Sequence, residues 1–433
     1  MAQKNLINIG VIGFGTIGSG VVKLLRERRK IFYERTGLDL NLKAVCDKDV
    51  STKRDVSLPK GILTKDIDKV INDPKIDIVV ELVGGVHPAK EFVLRALAKG
   101  KHVVTANKLL LATNGDEIFS KAAKAGKYVL FEASVAGGIP IVRSIREGLA
   151  SNRFVNIFGI LNGTSNYILS KMTSEGADFK KVLKEAQDKG YAEKDPSLDI
   201  NGLDSAHKLS ILSLLAFGKR VKMKDIYTEG IQNISPFDIE YARELGYVVK
   251  LLAIAKAEAG KLELRVHPTL LPSEYLLSSV SGVYNAISID ADLVGEQVYY
   301  GKGAGKLPTA SAVLSDIIHV GHAISVGRDV RKGNFARKQE IDKIKKMDDV
   351  HTRYYIHFST IDKPGVLARI TDILGKNNIS IASVVQKERR IAQIVPVVMI
   401  THEAKEADVQ NALRKIDKLN AIKRKSVLIR LEK

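Results

Sequence analysis

One turn near the start of the chain constrains the fold more than any other feature. Gly13-Phe14-Gly15-Thr16-Ile17-Gly18 follows an apolar run at residues 6–12 and opens a stretch of helical periodicity. Glycines at this spacing permit the tight turn, let backbone N–H groups approach an anion, and let the helix lie close to the strand. The helix N-terminus adds partial positive charge. A strand, this turn and a helix in that order predict that Gly13, Phe14, Gly15, Thr16, Ile17 and Gly18 cradle the pyrophosphate of a dinucleotide.

The pattern that follows agrees. Strand-like runs at 6–12, 40–46, 76–82, 102–106 and 128–133 alternate with helical stretches at 16–35, 88–99 and 109–125. Such alternation implies a doubly wound parallel sheet of Rossmann type, covered on both faces, so the chain belongs to the α/β class. From 137 to 305 the pattern is mixed, with helices at 140–150, 165–173, 178–189 and 201–217 and strands at 262–268 and 297–301. That predicts an α+β insert, after which an apolar helix at 307–323 returns to the first unit. Residues 328–350 are charged and aperiodic, as in a linker. Beyond them, a strand at 354–359, a helix at 365–377, strands at 379–386 and 393–401, a helix at 404–416 and a strand at 426–431 give the ferredoxin-like order βαββαβ. The expected domains are therefore 1–137 with 306–327, then 138–305, a linker at 328–351, and 352–433.

Composition narrows the function classes. The only cysteine, Cys46, excludes an internal disulfide and any multi-thiolate metal site. The net charge of +19 raises the question of a nucleic-acid partner. Residues 328–433 hold 24 Lys/Arg against 13 Asp/Glu, 24 minus 13 giving +11. No zinc finger, basic zipper or RNA-binding aromatic pattern accompanies them, so a general basic surface is expected and no nucleic acid. No segment approaches the ~20 apolar residues needed to span a bilayer, and glycines interrupt the first apolar run, so neither a membrane partner nor a signal peptide is expected. The reading is cytoplasmic.

Several residues carry candidate chemistry. The second strand ends at Asp47-Lys48-Asp49, with Lys53-Arg54 close behind. An acid there accepts from the ribose hydroxyls of NAD, whereas Lys48, Lys53 or Arg54 suits the 2′-phosphate of NADP, so both cofactors stay open. A hydride carrier requires a substrate carbonyl and a proton donor. Thr105-Ala106-Asn107-Lys108 falls at the carboxyl edge of the parallel sheet, where such sheets bind ligands. A denser group is Gly190-Tyr191-Ala192-Glu193-Lys194-Asp195-Pro196, followed by Asp199, Gly202, Asp204 and Lys208. Asp204 and Lys208 are four apart and share one helical face. Acids with one lysine suit a zwitterionic substrate. His319 and His322 lack a third ligand and read as helix-surface residues.

At these positions the chain resembles homoserine dehydrogenase. The glycine loop, Ala106-Asn107-Lys108, the run Glu132-Ala133-Ser134-Val135-Ala136-Gly137-Gly138-Ile139-Pro140, Asn162-Gly163-Thr164-Ser165-Asn166 and the block from Gly190 to Lys208 carry the likeness over residues 5–325. With no kinase ahead of the nucleotide domain, it resembles the monofunctional form. The C-terminal unit, with Asp362-Lys363-Pro364-Gly365-Val366-Leu367, resembles an ACT domain.

The resemblance implies NAD(P)H-dependent, reversible reduction of L-aspartate 4-semialdehyde to L-homoserine, in threonine, methionine and isoleucine synthesis. It implies Lys208 as general acid/base assisted by Asp204, and Lys108 as a second essential lysine near the nicotinamide. Glu193 would bind the α-ammonium group, Thr164 and Tyr191 the α-carboxylate, and Asp199 belongs to the same substrate block. Thr105 and Gly303 would touch the cofactor. A monovalent cation, Na⁺ or K⁺, would sit at Glu132, Val135, Gly137 and Ile139. The ACT likeness, with Gly365 at a helix N-terminus and Asn378 and Ile379 opening the next strand, implies an amino-acid effector, expected to be threonine, bound across a pair of domains. The α+β insert would be the catalytic and dimerisation domain, a homodimer or homotetramer is expected, and deleting residues 350–433 should leave an active enzyme. A phosphorylating semialdehyde dehydrogenase, the competing reading, needs a thiol beside the nicotinamide, and Cys46 lies at the adenosine end.

Overall fold

The computed structural model describes residues 5–327, 341–386 and 394–432. By its own contacts the chain divides into two compact units, residues 1–153, 207–223 and 299–339 in the first and 154–206, 224–298 and 340–433 in the second.

The first unit is built on a six-stranded sheet in the order Leu63–Thr64, Asp39–Cys46, Leu6–Ile12, Ile78–Glu81, His102–Thr105, Val129–Leu130. Every pairing is parallel. Ile7, Ile9, Val11, Val80 and Val104 meet Val21, Val22 and Leu25 of the helix Thr16–Glu27, and Val313, Ile317 and Val320 of the helix Lys306–Ser325, in one apolar core. The single helix expected at 16–35 is two, Thr16–Glu27 and Arg29–Thr36, joined at Arg28. The second buries none of its residues, so no apolar stripe continues the first helix's direction. The strand expected at 128–133 shortens to Val129–Leu130, because Glu132–Ser134 coil into a tight 3₁₀ turn. The helix expected at 140–150 is one turn, Ile141–Arg143, followed by a widened π turn at Ser144–Gly148.

In the second unit a mixed sheet runs in the order Tyr284–Ala291, Phe154–Ile160, Tyr247–Glu258, Lys261–Pro272, Ile422–Leu431, His351–Ile361, Ile394–Thr401, Ile381–Val385. Lys261–Pro272 joins Ile422–Leu431 in parallel, Thr269 opposite Arg430 and Leu270 opposite Leu431. The ferredoxin-like segment thus shares a sheet with the α+β segment. The same strand takes Tyr227–Thr228 and Lys343–Ile344 in parallel, so part of the stretch expected as a linker lies along it, while 328–340 falls outside the described residues. The βαββαβ order holds: helices Val366–Lys376 and Glu406–Ile416 supply Ile370, Leu374, Val409 and Leu413 to a core with Tyr354, Ile356, Phe358 and Met399.

Three strands, Phe154–Ile160, Tyr247–Glu258 and Tyr284–Ala291, are absent from the sequence reading. Tyr247–Glu258 is buried along seven consecutive positions, which erases the alternation that marks a strand covered on one face. Among the described residues no helix is long and apolar enough to cross a membrane.

Candidate functional site

The glycine loop stands at the carboxyl edge of the parallel sheet. Gly13 has φ +98°, and a Cβ there would lie 2.6 Å from the backbone of Leu82; one at Gly18 would meet the Gly13 carbonyl. Those two glycines are demanded by the chain's own packing. Gly15 is not: nothing lies within 4 Å of its Cβ position, and no acid occupies the first turn of the helix that it caps. Its bareness leaves open space at a helix N-terminus, which fits a dinucleotide phosphate. Phe14 is buried, while Gly15 and Thr16 are exposed.

Asp47 turns toward this loop. Its Oδ2 accepts from Phe14 N and its Oδ1 from Asp49 N at 2.8 Å, so the carboxylate is already engaged by backbone. The Arg54 guanidinium lies 5.0 Å from the centre of the Phe14 ring and Nε donates to the Phe14 carbonyl at 3.2 Å. Lys48 is exposed.

At the neighbouring strand ends Thr105 and Asn107 join a polar chain whose first member, Glu81, the sequence reading did not single out. Glu81 is fully buried; Oε2 accepts from the Thr105 hydroxyl at 2.7 Å and Oε1 from Val83 N at 2.8 Å. Burial pushes its carboxyl upward, against those hydrogen bonds. Thr105 Oγ1 accepts from Asn107 N at 3.0 Å, and Asn107 Oδ1 caps the helix Lys108–Ala125 by accepting from Leu110 N at 3.1 Å. Lys108 is therefore fixed at the first position of a helix, where the macrodipole disfavours a cation.

Residues 132–143 form a clamped loop. The Glu132 carboxylate accepts from Val142 N and Arg143 N, both at 2.8 Å, and Glu132 N donates to Asp316 Oδ2 at 2.8 Å. Ala136 and Gly137 have φ of 53° and 48°. A Cβ on Gly137 would lie 2.5 Å from the Gly303 carbonyl, and Gly138 N donates to Lys302 O at 3.0 Å. The structure thus brings Gly137 and Gly303 together. Among the described residues no group of three or more His, Cys, Asp or Glu could hold a metal ion. Each Glu132 carboxylate oxygen accepts one backbone hydrogen bond, and the Ile139 carbonyl accepts from Ile141 N at 2.8 Å. His319 stands edge-on to the Tyr128 ring and 3.7 Å from Glu147.

In the second unit the acidic block closes on Asn162. Asn162 Nδ2 donates to Asp199 Oδ1 at 2.6 Å and Asp204 Oδ2 at 2.9 Å, while its Oδ1 accepts from Ser165 N at 2.8 Å and caps the helix Gly163–Glu175. One amide gathers two carboxylates that the sequence separates by five positions. The Thr164 hydroxyl donates to the Tyr191 carbonyl at 2.7 Å, and the Tyr191 ring lies 5.1 Å from that of Tyr167. Glu193 is exposed. Lys208, which falls in the first unit, is one turn beyond Asp204 on the helix Leu203–Phe217, and both residues are more than nine-tenths buried.

The candidate effector residues separate. Gly365, φ +85°, caps the N-terminus of the helix Val366–Lys376, whereas Asn378 and Ile379 close its C-terminus, donating to Gly375 O at 3.0 Å and Leu374 O at 3.1 Å. Eleven residues at ~1.5 Å each put the two ends roughly 16 Å apart. One copy of this helix does not assemble them into a single pocket.

Comparison with known proteins gives three family matches: the homoserine dehydrogenase family over residues 140–318, its NAD-binding domain over 13–132, and the ACT domain over 354–420. A homoserine dehydrogenase of Neisseria gonorrhoeae is 43% identical over 98% of both chains. The crystal structure of a homoserine dehydrogenase from Thiobacillus denitrificans superposes with a TM-score of 0.92 at 44% identity, over 100% of this chain and 99% of that one. A hyperthermophilic archaeal homoserine dehydrogenase in complex with NADPH matches at a TM-score of 0.62 and 28% identity, over 73% of this chain and 97% of that one.

Proposed function

The chain belongs to the homoserine dehydrogenase family of NAD(P)-dependent oxidoreductases, and from that premise we propose that it reduces L-aspartate 4-semialdehyde to L-homoserine, reversibly, in the synthesis of threonine, methionine and isoleucine. The observation that carries the proposal is the Asn162 amide drawing Asp199 and Asp204 together ahead of Lys208, a polar set that suits an amino-acid substrate.

The open cradle at Gly15 and the helix start behind it would hold the dinucleotide, whose nicotinamide supplies the hydride. Lys208 gives a proton to the developing alkoxide, and the Asp204 carboxylate, one turn before it on the same helix, would hold that side chain or the reacting oxygen. Glu193 pairs with the α-ammonium, and Thr164 and Tyr191 orient the α-carboxylate. Lys108, carried at an electrostatically unfavourable helix start, serves the same reaction near the nicotinamide. A monovalent cation, held by Glu132 and the backbone carbonyls of Val135, Gly137 and Ile139, would stiffen the loop that meets Gly303. Threonine is the proposed effector of the ACT domain, in an assembly of two or four chains that joins Gly365 of one copy with Asn378 and Ile379 of another.

The test is NADH or NADPH oxidation by the purified protein with L-aspartate 4-semialdehyde, with homoserine identified as product. Oxidation that depends on the aldehyde is expected; none with either cofactor would overturn the assignment.

A further inference from the structure

A set of contacts outside the residues assigned above runs from the C-terminal strand to the acidic block, all within the second unit. Arg430, 1% exposed, donates through Nε to Glu406 Oε2 at 2.8 Å and through Nη1 to Glu229 Oε2 at 2.9 Å. Its Nη2 reaches the Tyr227 hydroxyl at 3.2 Å, and the guanidinium lies 4.9 Å from the centre of that ring. A side chain of the ferredoxin-like segment thus fastens the Glu229 carboxylate with one charge-assisted bond, which is stronger and better directed than a neutral one.

The backbone at Glu229 faces the acidic block. Glu229 N donates to Val266 O at 2.8 Å and Ile231 N to Ile200 O at 2.9 Å. Gly230, between them, has no room for a side chain: a Cβ would sit 2.4 Å from Ile200 O and 2.7 Å from Asn201 Cα. Across the contact Gly202, φ +86°, has its Cβ position 3.1 Å from Thr228 Cγ2 and 3.3 Å from Glu229 O. Residues 228–231 therefore support the turn at 200–202, and that turn joins Asp199 to Asp204, the two carboxylates on Asn162.

We propose that Glu229, clamped by Arg430, is a positioning residue for the Asp199–Asp204 turn, so that the ACT domain sets the geometry of the substrate block through one ion pair. The proposal rests on the reading of that block as the substrate site. A shift of the strand Ile422–Leu431 would lengthen the pair and relax the turn, which gives effector binding a physical route to substrate affinity.

The experiment is Glu229→Gln in the full-length chain, read by steady-state kinetics and by hydrogen exchange of residues 197–206. The aldehyde KM should rise roughly 3- to 30-fold while the cofactor KM stays within about two-fold and Tm within about 2 °C. Exchange at 197–206 should quicken. Gly230→Ala, which drives a methyl group against Ile200 without touching the pair, should produce the same split. Unchanged aldehyde KM and unchanged exchange in Glu229→Gln would overturn the proposal, and so would equal rises in both KM values accompanied by a fall in Tm, the mark of a purely structural pair. If the wild-type protein fails to use the aldehyde, the substrate reading falls and the exchange comparison still decides the clamp.

Discussion

The two units bury charge in opposite ways. The interior of the first is apolar, and its buried acids, Glu81, Glu132 and Asp316, are held largely by backbone N–H groups and a hydroxyl at strand ends and loop clamps. The second carries whole ion pairs inside. Arg265, fully buried, donates to Glu263 at 2.7 Å and to Glu432, and Arg430 holds Glu406. These pairs lie where the strand Lys261–Pro272 meets Ile422–Leu431. Buried ion pairs add little net stability over apolar packing, but breaking one strands a charge at a cost of ~3–5 kcal/mol. The contrast teaches that buried charge in the first unit ties down strand ends and loops, whereas the buried ion pairs of the second fasten its C-terminal strand to Lys261–Pro272.

Deleting residues 350–433 should break that comparison most severely. The sequence reading treats this segment as a detachable sensor. Its removal takes away Glu432 and Arg430, leaves Arg265 with Glu263 and His267, and bares the parallel edge of Lys261–Pro272. Against a typical total of ~5–15 kcal/mol, those losses should leave the truncated protein unfolded or aggregated. Size-exclusion chromatography and circular dichroism check this; a monodisperse truncation with wild-type kcat would show that the domain is separable after all.

Next in size is Lys208→Ala. Loss of a general acid costs ~10² to 10⁴ in rate, so kcat should collapse while Tm holds, as expected of a group placed for chemistry. Near-wild-type kcat, with Lys108 intact, would remove Lys208 from the role.

How much of this was legible in the sequence depends on whether local spacing carried the signal. The glycine loop and the strand Leu6–Ile12 were, because steric need at Gly13 and Gly18 and a short apolar run are local facts. The Asp204 and Lys208 spacing was also readable, since one helix holds both. Glu81 was not: an acid at the end of an apolar strand looks like its boundary until Thr105 is placed beside it. Neither was the Arg430–Glu229 pair, whose partners are 201 positions apart. Tyr247–Glu258 went unread because burial on both faces hides its period. The separation of Gly365 from Asn378 and Ile379 follows from helix length alone, and the sequence reading had already required a second copy to join them.

Lys250 offers a smaller test of charge burial in the second unit. It is 2% exposed, its ammonium donates to Val280 O at 2.5 Å, and among the described residues no carboxylate pairs with it. Burial pushes its pKa down from 10.5 to about 8. Below pH 8 both folded and unfolded chains carry the charge and the burial penalty is complete. Between 8 and 10.5 the unfolded chain binds the extra proton, so stability from this group rises with pH. Lys250→Met should therefore stabilise at pH 7 by on the order of 2 kcal/mol, with the gain fading toward pH 10.5. Val280 O keeps a donor, Asn166 Nδ2 at 3.2 Å. Urea melts at pH 7 and 10 measure the difference, and a pH-independent effect would mean that packing, not charge, governs the site.

The smallest expected effect concerns Asp47, where sequence and structure suggest different results. An acid at the end of the second strand predicts repulsion of a 2′-phosphate, so that Asp47→Ser shifts preference toward NADPH. In the structure both Asp47 oxygens are engaged by backbone, at Phe14 N and Asp49 N, and the side chain holds the glycine loop. A serine hydroxyl can accept from only one of them and carries no charge. The loop should then loosen equally for either cofactor. Both cofactor KM values should rise about five-fold, near 1 kcal/mol for a weakened charge-assisted hydrogen bond, with their ratio moving less than about two-fold. Parallel kcat/KM measurements with NADH and NADPH decide it. A ratio that swings toward NADPH would mean that the carboxylate leaves the loop to meet the ribose, and the polar edge of the first unit would then be reading its ligand directly.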